Sequence, residues 1–260
     1  MTQVTRFWPL LTGTHRYEKT LSTRGRGEGV YIQAPILAFL IETLNGRILY
    51  DVGCDYSKIA SPTLCKQYYE NEAFPFGPPE MTEEQRLPNR LAQLGLNPQE
   101  VDLVFVGHLH FDHGGGLCDM AHAEIHVHEK EMAAALEPAA EAYFANDFTG
   151  DYRWKMQASE YDLAGGVRAI ESPGHTAGHM SMLIELPKGP PILLAGDAAD
   201  LEENLQDEVA PGLCWHDRED MAVASIRKLK QLAADTGAQL WPNHDMAFYR
   251  NCRPFPKFYE

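Results

Sequence analysis

Two apolar runs joined by a turn dipeptide open the regular part of the hydrophobic pattern. Residues 36–43 (ILAFLIET) and 47–53 (RILYDVG) flank Asn45-Gly46, which readily supplies the positive φ of a tight turn. This pattern predicts a β-hairpin. Residues 54–87 then lose periodicity and collect aromatic side chains, which predicts a long surface excursion. A helix is predicted to follow from Pro88 to Leu94.

The next run, Val101 to Val106 (VDLVFV), is nearly all apolar, as is typical of a strand buried on both faces. Similar runs predict strands at residues 124–128, 167–171, 180–186, 191–195 and 239–241. Between the last two, residues 217–236 carry apolar positions three and four residues apart, which predicts an amphipathic helix with Asp217 as its N-cap and Gly237 as its end. Because no break in composition marks a linker, we expect a single α/β domain over residues 1–260.

Charge and composition exclude several classes of protein. The formal net charge of −15 is unfavourable for binding phosphates, so we expect no nucleic-acid partner. No stretch approaches the roughly 20 apolar residues of a membrane span, and no secretory signal precedes residue 13, so we expect a cytoplasmic protein without a membrane partner. The five cysteines form no CxxC pair, which argues against a cysteine zinc knuckle.

A short histidine-rich run directly follows the strand predicted at residues 101–106. Residues 108–113 read His-Leu-His-Phe-Asp-His, and Gly114-Gly115-Gly116 comes next. Side chains in so short a loop converge, and imidazole nitrogen with carboxylate oxygen is a ligand set that zinc accepts at catalytic sites. The three glycines allow the backbone to pack closely beside such a site. We therefore interpret His108, His110, Asp112 and His113 as candidate metal ligands.

Three later residues share the placement of this run at the end of an apolar strand. His175 lies in SPGHT, Asp197 in LAGD and His244 in WPNHD. Each one alone is as well explained as an ordinary turn residue. Their common position after strands predicts that they meet the first run at one edge of the sheets.

The order HxHxDH, PGHT, GD and NHD resembles the metallo-β-lactamase superfamily over nearly the whole chain. The resemblance implies an αββα sandwich, in which two mixed sheets pack together between outer helices. It further implies that two Zn²⁺ ions are bound by two sets of side chains with one bridge between them. His108, His110 and His175 would hold one ion, Asp112, His113 and His244 the other, and Asp197 would bridge them. Iron or manganese are alternatives, because every ligand atom is nitrogen or oxygen.

Within the superfamily, the chain resembles the N-acyl-homoserine lactonase branch. This resemblance implies a homodimer that opens the ring of an N-acyl-homoserine lactone or a related small lactone by attack of a hydroxide bridging the two metals. Asp112 would also be catalytic, because it would carry a proton to the leaving alkoxide. Two alternatives remain open. One is hydrolysis of another ester, a thioester or a cyclic amide at the same site, and the other is metal binding without catalysis.

One position departs from the lactonase pattern. Acyl-homoserine lactonases typically place a tyrosine three residues after the bridging aspartate, and this chain has Asp200 there. An ionised carboxylate accepts hydrogen bonds but donates none to an oxyanion. Asp200 is therefore a second candidate catalytic residue that would receive a polar or cationic substrate group, and a solvated loop acid is the alternative. The aromatic residues of loops 54–78 and 143–154 would line a substrate pocket, pack in the core or form a dimer interface.

Overall fold

Two β-sheets form the centre of the protein in the computed structural model, which describes residues 2–137 and 141–260. The first sheet contains, in spatial order, β1 (Val4–Glu18), β2 (Tyr31–Thr43), β3 (Gly46–Tyr50), β4 (Leu103–Phe105), β5 (Glu124–His128) and β6 (Arg153–Gln157). The second contains β7 (Tyr161–Ala164), β8 (Val167–Glu171), β9 (Met180–Ile184), β10 (Ile192–Leu194) and β11 (Gln239–Trp241). Both sheets are mixed: β3 to β6 run parallel, as do β10 and β11, and the other neighbours are antiparallel.

Helices cover the outer faces of the two sheets. They are α1 (Tyr56–Ala60), α2 (Pro62–Tyr68), α3 (Leu87–Gln93), α4 (Glu129–Ala135), α5 (Ala145–Phe148), α6 (Glu202–Asp207), α7 (Glu219–Thr236) and α8 (Met246–Asn251). Leu87 and Leu91 of α3 pack on the first sheet, and Leu229 of α7 packs on the second. This order of layers confirms the predicted αββα sandwich. None of these helices in the described residues is long and apolar enough to cross a membrane.

The core between the sheets is rich in aromatic side chains. Phe7, Phe39 and Tyr50 of the first sheet are buried against Met182 and Trp241 of the second. Phe7 stacks on Phe39 with ring centroids 5.9 Å apart, and its edge meets Trp241 at 5.8 Å. Aromatic pairs in these geometries add to the free energy gained from buried area. The two sheets therefore form a rigid base for the loops at their edge.

The predicted hairpin is confirmed, with its turn one residue earlier than expected. Leu44 and Asn45 form the turn, and Gly46 pairs with Thr43 as the first residue of β3. Gly46 has φ of 150°, and a Cβ atom there would lie 2.5 Å from the Asp102 carboxylate. Glycine is thus required for its backbone conformation at this position rather than inside the turn itself.

Most of residues 54–87 are exposed or half-buried, as expected for a surface excursion, but the segment also contains α1 and α2, which the sequence did not predict. Asp55 caps α1 by accepting a hydrogen bond from the Ser57 N–H, and Ser61 caps α2 before Pro62. Helices this short carry too little periodicity to be detected. Tyr69 and Phe74, beyond α2, are buried against Phe111, so these aromatic residues mainly pack in the core.

Strand β1 and the start of helix α7 also differ from expectation. β1 is the longest strand, and the sequence did not reveal it because register shifts at residues 4–6 and 11–13 interrupt its alternation of polar and apolar positions. Helix α7 begins at Glu219, so Asp217 is not its N-cap. Asp217 instead has a left-handed φ of 56° in the preceding turn. Gly237 ends α7 as predicted, with φ of 69°.

Candidate metal centre

The predicted residues meet where four strands end. The loop after β4 carries residues 108–113, and the loops after β8, β10 and β11 carry His175, Asp197 and His244. Asp197 lies at the centre of the group. Its Oδ1 is 3.2 Å from the Nε2 atoms of both His113 and His244, and its Oδ2 is 3.6 Å from Nε2 of His108 and 3.5 Å from Nε2 of His175. Oδ2 is also 3.2 Å from Nε2 of His244, so the carboxylate of Asp197 lies among all four histidines.

The side chains around Asp197 include two groups with no residue in common, and within each group ligand-type atoms lie within 4.8 Å of one another. The first group is His108, His110 and His175, and the second is Asp112, His113 and His244. Two further groups at this distance overlap them and contain Asp197 itself. Six of these seven residues are buried, and the side chain of Asp112 is 12% exposed. The first and second groups coincide with the two sets that the resemblance implied. The role of each residue as a ligand stays a prediction.

Unpartnered nitrogen atoms test whether a cation fits here. Both ring nitrogens of His108 and the Nε2 of His113 are buried and have no hydrogen-bond partner. A buried polar atom without a partner costs about 1–3 kcal/mol, so native structures rarely leave one unexplained. All donor atoms in the cluster are imidazole nitrogens or carboxylate oxygens, which suit zinc, iron or manganese. The residues therefore fit a divalent metal ion.

Contacts outside the cluster fix the orientation of several rings. The Nδ1 atoms bond as follows: His113 with the Asp51 carboxylate (2.7 Å), His175 with the Leu213 carbonyl (3.0 Å), and His244 with the Pro35 carbonyl (2.9 Å). A carbonyl only accepts, so the two rings facing carbonyls carry a proton on Nδ1, and Nε2 is the atom that they direct into the cluster. These tautomers are the ones that a metal ion requires.

In the metal-free cluster, the pKa values of the residues shift in different directions. Burial and the neighbouring imidazoles lower the pKa of His108 well below its usual value, so this ring is neutral and one of its nitrogens has an available lone pair. Burial opposes charge on His113, but the carboxylates of Asp197, Asp112 and Asp51 outweigh it and raise the pKa of His113. Burial likewise opposes ionisation of Asp197, yet the surrounding histidines, led by His113, hold its pKa well below the usual value. Asp197 is thus ionised, and it supplies a negative charge at the centre of the cluster.

Asp200 lies beside this centre and is only 4% exposed, so the alternative of a solvated loop acid is wrong. One of its oxygens falls within 4.8 Å of ligand-type atoms of Asp197 and His244, and its Oδ1 is buried without a partner. Burial, followed by the negative charge of Asp197, raises the pKa of Asp200 to about 8. In the metal-free protein this carboxyl group therefore holds a proton at neutral pH.

Two cavities meet at His110, His175 and Leu213. The smaller, of about 50 Å³, lies over Asp112, Asp197, Asp200 and His244, and Phe76, His15 and Tyr17 also line it. The larger, of about 390 Å³, extends between residues 213–217 and the side chains of Ala134, Glu137, Glu141 and Tyr143. Its volume lies in the range of small-molecule sites. The smaller cavity thus lies over the candidate metal ligands, and the larger cavity adds volume next to it.

Close backbone approach beside the first loop requires the predicted glycines. A Cβ atom at Gly116 would lie 2.3 Å from the Val52 carbonyl oxygen, and one at Gly115 would lie 2.7 Å from the Asp55 backbone nitrogen. Any side chain there would push the segment that follows the 108–113 loop away from residues 52–55.

Sequence reasoning missed several residues of this site. Asp51 had a usable signal, because it directly follows the apolar strand β3, much as Asp197 comes shortly after β10. Tyr17 had none, since β1 itself was not predicted. Its hydroxyl shares a 2.9 Å hydrogen bond with the Ser22 hydroxyl at the wall of the smaller cavity. Glu131, on α4, is buried next to the first group and also gave no signal.

Comparisons with known proteins define the class of protein to which this fold and site belong. The family model of the metallo-beta-lactamase superfamily matches residues 32–236, and the chain belongs to this superfamily.

Among its relatives is the N-acyl homoserine lactonase AiiA of Bacillus thuringiensis subsp. kurstaki, which is 32% identical over 231 residues, 88% of this chain and 89% of the relative. The N-acyl homoserine lactonase AttM of Azorhizobium caulinodans is 28% identical over 98% of both chains. A solved structure of an N-acyl homoserine lactone hydrolase, with the product N-hexanoyl-L-homoserine at its catalytic metal centre, superimposes with a TM-score of 0.89. It is 29% identical, and the match covers 99% of this chain and all of the other.

Proposed function

We propose that this protein is a dinuclear, metal-dependent hydrolase that opens the ring of an N-acyl-homoserine lactone or a related small lactone. The observation that carries the proposal is the position of Asp197, whose carboxylate lies within 3.6 Å of histidines from two groups of ligand-type side chains. The similarity of the protein to N-acyl homoserine lactonases over most of its chain supports lactones as the substrate class.

The two groups would each hold one metal ion, with zinc as the first choice. Bound there, the ions would bring the pKa of a shared water toward neutrality and polarise the lactone carbonyl. Asp197 supplies the negative charge between them, and burial keeps bulk water away from it. Asp112, with its partly open side chain, is placed to hold a proton and pass it to the ring oxygen when the ester bond breaks. The product is a hydroxy acid, which releases one proton at neutral pH.

The substrate would extend from the smaller cavity into the larger one. The smaller cavity exposes Asp112, Asp197 and Asp200 to the ring, and the larger offers about 390 Å³ for the acyl substituent. We propose that Asp200 contacts a polar or cationic group of the substrate from the cavity wall. Its burial supports such a contact, because only a neighbouring partner would compensate for its unpaired oxygen.

Some sequence predictions remain proposals. We propose that the chain forms one domain over residues 1–260, and that it acts as a homodimer in the cytoplasm with a small-molecule substrate as its partner. The net charge of −15 supports the expectation that nucleic acid is not a partner.

A hydrolysis screen tests the proposed function. Purified protein loaded with zinc would be mixed with acyl-homoserine, aliphatic and aromatic lactones and with thioesters, and proton release would be followed with a pH indicator. We expect turnover of at least one lactone class, with kcat/KM in the ordinary enzyme range of about 10⁴ M⁻¹s⁻¹ or above. Cleavage of thioesters without cleavage of any lactone would overturn the assignment.

A further inference from the structure

Glu131 is a fully buried carboxylate that lies outside both groups of the metal centre. It belongs to the first turn of α4, which His128 caps by accepting a hydrogen bond from the Lys130 N–H. Its two oxygens accept four hydrogen bonds. The donors are the Leu109 N–H (2.9 Å) and the Tyr143 hydroxyl (2.9 Å) on Oε1, and the Thr176 hydroxyl (2.6 Å) and the Gly178 N–H (3.2 Å) on Oε2.

Three of these four donors belong to the segments that hold the first group of histidines. Leu109 lies between His108 and His110, and Thr176 directly follows His175. Tyr143 adds a third link, because its ring packs against the His110 ring with centroids 4.5 Å apart. One side chain therefore joins two loops that lie 65 residues apart in sequence at His110 and His175.

The approach of the second loop to Glu131 is as close as the backbone allows. A Cβ atom at Gly178 would lie 2.2 Å from the Glu131 backbone nitrogen. Only glycine permits this contact. The short distance between α4 and the His175 loop therefore depends on two features: the hydrogen bonds to the Glu131 carboxylate and the absence of a side chain at Gly178.

The chemistry of the contact requires a carboxylate. An ionised carboxylate only accepts, and it offers two acceptor positions on each oxygen, which matches four donors. A glutamine has one amide oxygen and one amide NH₂. In either orientation its NH₂ would face a backbone N–H, from Leu109 or from Gly178, that is unable to accept. A hydroxyl is able to rotate and accept instead, but a backbone N–H is not.

We infer that Glu131 is a positioning residue that holds His108, His110 and His175 at the spacing required by the first metal ion. It lines neither cavity and so does not contact substrate. The second group has separate supports, since His113 bonds with Asp51 and His244 with Pro35. Loss of the Glu131 carboxylate should therefore weaken one metal site and leave the other nearly unchanged. The inference rests on the proposed dinuclear centre but not on lactones as substrates.

Zinc affinity, measured by competition with a chromophoric chelator and without substrate, tests this role. We compare Glu131→Gln with Glu129→Gln, which changes an exposed acid of the same helix turn. Changes to residues that support metal ligands typically lower metal affinity 10- to 100-fold. We expect a loss of about that size at one of two sites in Glu131→Gln and no loss in Glu129→Gln. Thr176→Val, which removes a single donor, should produce a smaller loss at the same site.

Two backgrounds identify the affected site. In Asp112→Ala, which disrupts the second group, adding Glu131→Gln should lower the affinity of the remaining metal ion by the same factor. In His175→Ala, which disrupts the first group, adding it should change the remaining affinity by less than about threefold. Unchanged affinity in Glu131→Gln, or equal losses at both sites, would overturn the inference. Thermal unfolding of the metal-free variants shows whether each variant is folded. If Glu131→Gln is misfolded, the zinc affinity of Thr176→Val provides the test.

Discussion

Asp112 is the most open of the seven residues at the candidate metal centre. Its side chain is 12% exposed, against 7% for Asp197, and it lines the smaller cavity. Its two oxygens lie 3.8 Å from Nε2 of His113 and 3.7 Å from Nε2 of His244. Asp112 thus faces both a group of ligand-type atoms and the space that a substrate would occupy.

We expect Asp112→Ala to abolish turnover even when one zinc ion stays bound. The substitution removes a ligand of the second group and the group that would protonate the leaving alkoxide, and general acid catalysis alone contributes roughly 10²- to 10⁴-fold. Steady-state hydrolysis with metal content measured on the same sample checks this. Asp119→Ala serves as the control, because Asp119 is a partly exposed acid that is hydrogen-bonded to Arg86. Near wild-type turnover in Asp112→Ala would refute the role of Asp112.

Asp200 is expected to influence substrate choice more than metal content. Asp200→Asn keeps the shape of the side chain but removes its ability to ionise, so lactones with polar or cationic substituents should lose the most. We expect the ratio of kcat/KM between such lactones and simple aliphatic ones to change about tenfold, which corresponds to about 1.4 kcal/mol. The exposed Glu202→Gln is a matched control. Identical kinetics across the whole panel would contradict this role.

The strands were predicted with different accuracy. β5, β8 and β11 have the bounds predicted from sequence, whereas β4, β9 and β10 are shorter than the apolar runs that predicted them, because an apolar run can continue past the last residue that pairs with a neighbouring strand. β1 was missed because bulges shift its pattern. The metal-centre residues were visible because they follow such strands. Glu131 and Tyr17 were not, because their roles depend on contacts with segments distant in sequence.

The buried pair of Lys58 and Asp147 shows the same limit at the level of helices. Lys58 of α1 is 1% exposed and forms an ion pair with Asp147 of α5, and it also lies over the rings of Tyr68 and Phe144. Lysine is normally a surface residue, so sequence alone places it in solvent. The pair ties two short helices together next to the aromatic cluster that contains Phe111.

We expect Lys58→Met to lower the free energy of unfolding by about 3–5 kcal/mol, because it leaves the Asp147 carboxylate buried without its partner. The double variant Lys58→Met/Asp147→Leu should recover most of this loss, since it removes both charges. Urea denaturation at fixed metal loading measures both. A double variant no more stable than Lys58→Met would show that the ion pair is not the cause.

The pH dependence of stability gives an independent test of Asp147. Burial raises the pKa of Asp147 to about 7, although Lys58 lowers it. The folded state therefore binds a proton between about pH 4 and pH 7 that the unfolded state releases, so this group's contribution to stability is full below pH 4 and is lost as the pH rises through 7. The stability of wild type relative to Asp147→Asn should fall by up to about 4 kcal/mol over this range. A constant or rising difference would contradict the expected shift.

At the scale of the whole molecule, the sandwich brings distant parts of the chain to one edge. The two sheets place the ends of β4, β8, β10 and β11 together, and residues between 108 and 244 meet there. This edge concentrates ionised carboxylate and unpartnered imidazole in a protein that already carries a net charge of −15. Cations bound only by the folded state would stabilise it, so metal loading and folding should be linked.

The most direct measurement is a titration of metal-stripped protein with zinc, in which the rate of lactone hydrolysis is followed against equivalents of metal per chain. The account predicts no hydrolysis without metal and a rate that reaches its plateau at two equivalents, because both groups around Asp197 must be filled. A plateau at one equivalent, or hydrolysis by the stripped protein, would contradict it.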